Sequence, residues 1–151
     1  MKKIVGYIVI LTLIALAMED PLIFVNIPSV LIVVGLTVGG LLAGGRSITQ
    51  FCSVLFDKNA SPSQLMDANE TAHDAGNYAM GSGFVGTLIG AVLMLGTLED
   101  PAAVGPSMAI AILTVLYAVT LKYFIFTPIG RGLDDRAEKI YEEKEAKEAA
   151  E

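Results

Sequence analysis

The chain has 151 residues, of which 54% are hydrophobic, with a mean hydropathy of +0.62 and no tryptophan. A soluble domain of this size does not ordinarily carry four apolar runs with so few internal charges. The net charge of −6 lies mostly in loops and tail, which argues against a nucleic-acid binder, and a lone Cys52 excludes an internal disulfide or cysteine metal cluster.

The first run, Ile4 to about Met18, follows Met1-Lys2-Lys3 and has the outline of a signal peptide, with Ala15-Leu16-Ala17 at the cleavage point. A second apolar run follows at once, so the stretch is read as a short first span with its amino end inside. Glu19, Asp20 and Pro21 end it, and Asn26 to Pro28 open a second span over about 28–44. That span carries Gly35-x-x-x-Gly39 and Gly40-x-x-x-Gly44, the spacing that lets helices approach closely where lipid supplies no hydrophobic drive. Packing within the subunit is the favoured use, and contact between subunits the alternative.

Residues 46–77 form the cytoplasmic connection. Ile48, Phe51, Cys52, Leu55 and Phe56 fall at helical spacing and predict an amphipathic helix near the membrane surface. Asp57 to Ser63 breaks it, and Ser61-Pro62 is a cap and start for a second helix running straight into the third span. Glu70 and His73, three residues apart, are metal-capable but lack a third ligand, so a solvated acidic helix with Asp67 and Asp74 is the favoured reading and no metal is assigned.

The third and fourth spans, about 78–97 and 106–129, are joined by the short turn Leu98 to Pro106, which predicts an antiparallel hairpin. Thr87 lies eleven residues before Leu98 and Thr114 eight after Pro106, placing the hydroxyls roughly 16 and 12 Å below one surface at about 1.5 Å per residue. Gly83, Thr87, Gly90 and Met94 share one helical face, and Gly86 and Gly90 form a further small-residue pair. Taken alone, Thr87 would more often bond back to the carbonyl four residues earlier. On the fourth span Thr114, Ala118 and Lys122 descend at four-residue steps, and Lys122 is the one charge inside any span. It lies about 9 Å from the inner edge of a core roughly 30 Å thick, within reach of a snorkelling stem, with an ion-pathway role as the alternative.

Past Pro128, residues 134–151 form a charged helical tail with little apolar face beyond Ile140 and Tyr141, expected to be frayed and solvated. Lys2, Lys3, Arg46, Lys58, Arg131 and Arg136 fall on one side, whereas loops 19–27 and 98–106 hold no Lys or Arg. The bias of positive charge toward the cytoplasm therefore places both termini inside and Glu19, Asp20, Glu99 and Asp100 outside. Glu99 and Asp100 serve as turn and cap residues, or as acids concentrating cations at an outer mouth.

Residues 83–133 carry a more specific signal. Gly83-Phe84-Val85-Gly86-Thr87-Leu88-Ile89-Gly90, Leu98-Glu99-Asp100-Pro101 through Gly105-Pro106, Leu113-Thr114-Val115-Leu116-Tyr117 and Phe126-Thr127-Pro128 resemble, in order and spacing, the last two spans of MotA-type stator subunits. That family also holds TolQ and ExbB. Phe24 through Gly35 matches the opening of its second span, so the resemblance covers about half of the chain.

The resemblance implies an all-α integral membrane protein of four spans, with residues 1–133 as the membrane domain and the last two spans lining the centre of a homopentamer. It further implies two copies of a single-span partner similar to MotB or ExbD, carrying a membrane aspartate, and transport of H+ or Na+. The family's pathway threonines fall on Thr87 and Thr114, with Gly83, Gly86 and Gly90 as pore-face packing. Three departures stand out: Met80 replaces a family proline, Val115 follows Thr114, and the cytoplasmic loop has only about thirty residues. Flagellar torque is therefore not implied. No nucleophile set, phosphate loop or zinc spacing is present, so a non-enzymatic subunit of the bacterial inner membrane without cofactor is expected. The alternative is a structural scaffold of the same fold that does not conduct.

Overall fold

Asn26 starts the first long helix by accepting the Ser29 backbone N–H on its side-chain oxygen at 3.0 Å, as an N-cap residue does. In this computed structural model, which describes residues 21–149 together with Gly6 and Thr12, that helix is α1, Ile27–Ala43. Apart from Gly6 and Thr12, the expected first span over 4–18 lies outside the described residues. A 3-10 turn at Pro21–Phe24 precedes α1. There follow α2 (Ile48–Phe56), α3 (Pro62–Gly96), α4 (Pro101–Thr120), a π-helical stretch (Leu121–Phe126) and α5 (Thr127–Glu148).

The corner between α1 and α2 is set by Gly45, which adopts φ +75°, a conformation costly for any residue with a Cβ. Its N–H bonds to the Leu42 carbonyl at 3.1 Å and that of Arg46 to Leu41 at 2.9 Å, the paired closure of a Schellman cap. Ser47 then caps α2, which leaves α1 at 99°. The amphipathic helix expected over 48–56 is thus present, with Val54 buried and Phe56 exposed.

Ser61 caps α3 with Pro62 at its first turn, as the sequence predicts, and Gln64 completes a reciprocal capping box with Ser61. From there α3 runs unbroken for 35 residues, joining the polar helix that starts at Pro62 to the third apolar run. The turn to α4 is shorter than expected. Asp100 accepts from the Ala102 N–H and Pro101 occupies the first helical position, so α4 begins at Pro101 and Pro106 sits inside it. A capping aspartate followed by a proline with φ already helical outweighs the second proline as a start signal.

The chain does not leave the helix at residue 129 either. It widens to π geometry over Leu121–Phe126 and continues into α5. The cause is Pro128, whose ring would collide with the Phe124 carbonyl in a regular α-turn; the widened turn just before it relieves that contact. The start of the charged tail is docked rather than frayed. Leu133 and Ala137 are buried with Val54, Ala60, Leu65 and Ala68, and Arg136 donates to the Asp57 carbonyl. From Tyr141 to Ala149 the helix is exposed.

The described residues are all-helical. Two helical stretches among them, 62–96 and 101–148, are long and apolar enough to cross a membrane, and the bent pair α1–α2 would make a third.

Candidate ion-pathway site

The hairpin of α3 and α4 closes on a row of glycines. A Cβ on Gly90 would lie 2.6 Å from the Ala111 backbone nitrogen, and one on Gly86 2.5 Å from the Thr114 methyl. On Gly83 it would lie 2.4 Å from the Ala118 Cβ, and on Gly76 3.4 Å from the Lys122 stem. The small residues at these positions therefore set the helix separation, as in close-packed membrane pairs. Gly83, Gly86 and Gly90, expected to pack at a pore face, are filled by α4 of the same chain.

That close approach brings Thr87 and Thr114 together. Thr87 Oγ1 donates to its own helix at Gly83 O, 2.9 Å, and across the hairpin to Ala111 O, 3.1 Å. Thr114 Oγ1 donates to Ile110 O at 2.9 Å and to the same Ala111 oxygen at 3.1 Å. The back-bond weighed for Thr87 on its own is thus present alongside the interhelical one. Thr114 is fully buried and Thr87 partly exposed. Each hydroxyl has a single proton, engaged by backbone carbonyls, so what remains on each oxygen is acceptor capacity.

Helix α1 is fastened to this hairpin at both ends. Tyr117 on α4 donates its hydroxyl proton to Phe24 O and accepts the Asn26 N–H at 3.1 Å. Lower down, Gly40 and Gly44 accept the Tyr78 ring, whereas Cβ positions on Gly35 and Gly39 would meet open space. One small-residue pair thus serves packing within the subunit and the other does not. Between them Thr37 back-bonds to Val33 O and lies 3.5 Å from Ser82 Oγ.

Beyond the Gly45 corner Arg46 bridges two acids of α3, Nε to Asp74 at 2.8 Å and Nη2 to Glu70 at 3.0 Å. The hydrogen bonds it donates to Asp74 first, then to Glu70, raise the guanidinium pKa further above its ordinary value. Glu70 and Asp74, expected as solvated acids, are thus paired; their spacing of four, one helical turn, is the signal in the sequence that sets both on one face. His73 contacts Asn77 at 3.2 Å, and no group of three metal-capable residues occurs among the described residues. Lys122 donates to Asn77 Oδ1 at 3.0 Å, turned along α3 rather than into the threonine cluster. Glu99 and Asp100 are exposed at the opposite end.

The sequence profile of the MotA/TolQ/ExbB proton channel family matches residues 53–146, a stretch holding α3, α4, the π turn and nearly all of α5. Among curated proteins, an uncharacterized protein YtxD of Bacillus subtilis is 48% identical over 64 residues, 42% of this chain and 24% of its own length. Chemotaxis protein PomA of Vibrio alginolyticus is 44% identical over 64 residues, 42% of this chain and 25% of its own. Motility protein A of Cereibacter sphaeroides is 57% identical over 52 residues, 34% of this chain and 21% of its own. The matched stretches thus span about a quarter or less of these relatives.

Proposed function

This chain belongs to the MotA/TolQ/ExbB proton channel family, as a MotA-type member, and from that premise we propose that it is the ion-conducting stator subunit of a motor complex. It would be a non-enzymatic, multi-pass subunit of the bacterial inner membrane, with four spans and both termini in the cytoplasm. Five copies would surround two single-span partners similar to MotB or ExbD. The cation, H+ or Na+, would pass to an aspartate on the partner, since no carboxylate falls within the apolar runs of this chain.

The observation that carries this reading is the convergence of Thr87 and Thr114 on the Ala111 carbonyl, within the matched stretch. Hydroxyls whose protons are committed to carbonyls offer only lone pairs to a third party. Such oxygens suit a positive guest, a dehydrating cation or a water carrying a proton, in a wall where an unmet polar contact costs on the order of a few kcal/mol. The test is ion flux through the reconstituted assembly of this chain with its single-span partner. Flux that depends on both threonines and on the partner's membrane carboxylate supports the reading; equal flux without the hydroxyls removes them from the pathway.

A second reading, a scaffold of the same fold that does not conduct, draws on the complete burial of Thr114. On that reading the Thr87 hydroxyl only staples α3 to α4, and that of Thr114 only bonds back within α4. An assembly of normal symmetry that passes no ions under a driving force would favour it.

A further inference from the structure

Where α4 widens into its π turn, a cleft of about 190 Å³ opens between that turn, the start of α5 and the cytoplasmic half of α3. Its polar lining is Asn69, His73, Lys122, Thr127 and Arg131, and Phe126 adds an aromatic wall. No carboxylate lines it, although α3 and α5 are rich in acids nearby. No ion pair joins Lys122 or Arg131 to a carboxylate among the described residues. Lys122 spends one proton on Asn77 and keeps two for another acceptor.

We propose that this cleft binds the phosphate of an anionic membrane lipid. The proposal rests on the reading of α3 and α4 as membrane spans, because that reading puts the cleft at the cytoplasmic boundary. Two cations nine residues apart bracket the cleft, Lys122 within the apolar run and Arg131 beyond it on the polar side. A phosphodiester between them gains two charges and the donors of Asn69 and Thr127. The ester tail lies against Phe126 and the bare backbones of Gly76 and Gly130. This pairing of an apolar wall with a cationic rim matches a lipid headgroup better than a free anion, which would leave the wall unused. Gly130 keeps the cleft open: a Cβ there would sit 2.8 Å from Asn69 Oδ1.

The experiment uses the full chain assembled with its partner in nanodiscs of phosphatidylcholine with graded phosphatidylglycerol. Lipids retained on release are counted by native mass spectrometry. The wild type should retain phosphatidylglycerol selectively. Lys122→Gln and Arg131→Gln should each weaken retention about fivefold, the weight of one basic residue near an anionic surface. Arg131 is exposed, so its variant should fold normally even if Lys122→Gln does not. Lys58→Gln and Lys139→Gln, which change the same net charge away from the cleft, should leave retention unchanged. Wild-type retention in both the Arg131→Gln and the Lys122→Gln/Arg131→Gln proteins would overturn the proposal. So would full displacement of the lipid by inorganic phosphate, which would mark a free-anion site. Ion flux measured on the same assemblies reports separately on the channel reading. Retained flux with unselective lipid binding overturns the lipid site alone.

Discussion

Thr87 on α3 and Thr114 on α4 donate to one acceptor, the carbonyl oxygen of Ala111, each at 3.1 Å. The residues are 27 apart in sequence and meet because Gly86 and Gly83 remove the side chains that would hold the helices apart. Thr87→Val and Thr114→Val keep the branched shape and delete only the hydroxyl. Thr87→Val gives up one interhelical hydrogen bond, of a kind that averages about 0.6 kcal/mol in membranes. Thr114→Val gives up only bonds within α4, so each variant should insert and assemble at near-normal abundance. Ion flux per assembled complex should fall, and Thr87→Ser should restore most of it. Wild-type flux in the double valine variant would leave the scaffold reading ahead.

The glycine row separates packing from conduction. Gly90→Ala brings a methyl to 2.6 Å from the Ala111 backbone nitrogen, and backbone cannot rotate away as a side-chain tip can. Overpacking of this kind costs about 1–3 kcal/mol, and the variant should show a lowered unfolding midpoint in detergent. Gly35→Ala faces open space and should leave the midpoint unchanged or slightly raised, since alanine is the better helix former. Equal destabilisation by the two would contradict the helix separation described.

Tyr117→Phe removes one hydroxyl and two bonds, those with Phe24 O and the Asn26 N–H. Both partners are backbone groups at the entry to α1, and leaving such groups unmet costs about 1–3 kcal/mol. Amide exchange over residues 24–30 should quicken while exchange in the middle of α3 stays slow. Unchanged exchange at the entry would show that α1 is held elsewhere.

Arg46 tests the corner between α1 and α2. Its two bonds leave from different nitrogens to different acids, a fork that lysine cannot reproduce, so Arg46→Lys should behave nearly as Arg46→Ala. Proteolysis near Gly44–Ser47 should accelerate in both variants. The effect should shrink at high salt, because the side chains are partly exposed. The raised guanidinium pKa contributes stability present below the ordinary arginine value and lost only as pH climbs through the higher folded one. From the arginine side, the clasp should therefore hold unchanged across the neutral range. A loss of protection between mildly acidic and neutral pH would have to come from elsewhere.

Much of this architecture was legible in local signals. Ser61-Pro62 with Gln64, Asp100-Pro101 and Asn26 each supply a cap whose partner lies within three residues, so start sites follow from short-range chemistry. Apolar runs and their lengths likewise state that helices of spanning size exist. Competition between two such signals misled the reading of residues 98–106, where the earlier cap prevailed over the later proline.

Tertiary structure alone decided the rest, because those relations depend on register between distant segments. Nothing local distinguishes Gly40 and Gly44, which receive Tyr78, from Gly35 and Gly39, which face open space; the rotation of α1 about its axis makes the difference. Leu133 and Ala137 look like isolated apolar residues in a charged tail until Val54 and Leu65 arrive from two other helices to bury them. Pairing of Arg46 with Glu70 and Asp74 required the Gly45 corner to turn the chain back along α3. Residue spacing from the turn leads to the expectation of similar depth for Thr87 and Thr114. Their common acceptor, Ala111 O, follows only from how closely two glycine-faced helices approach.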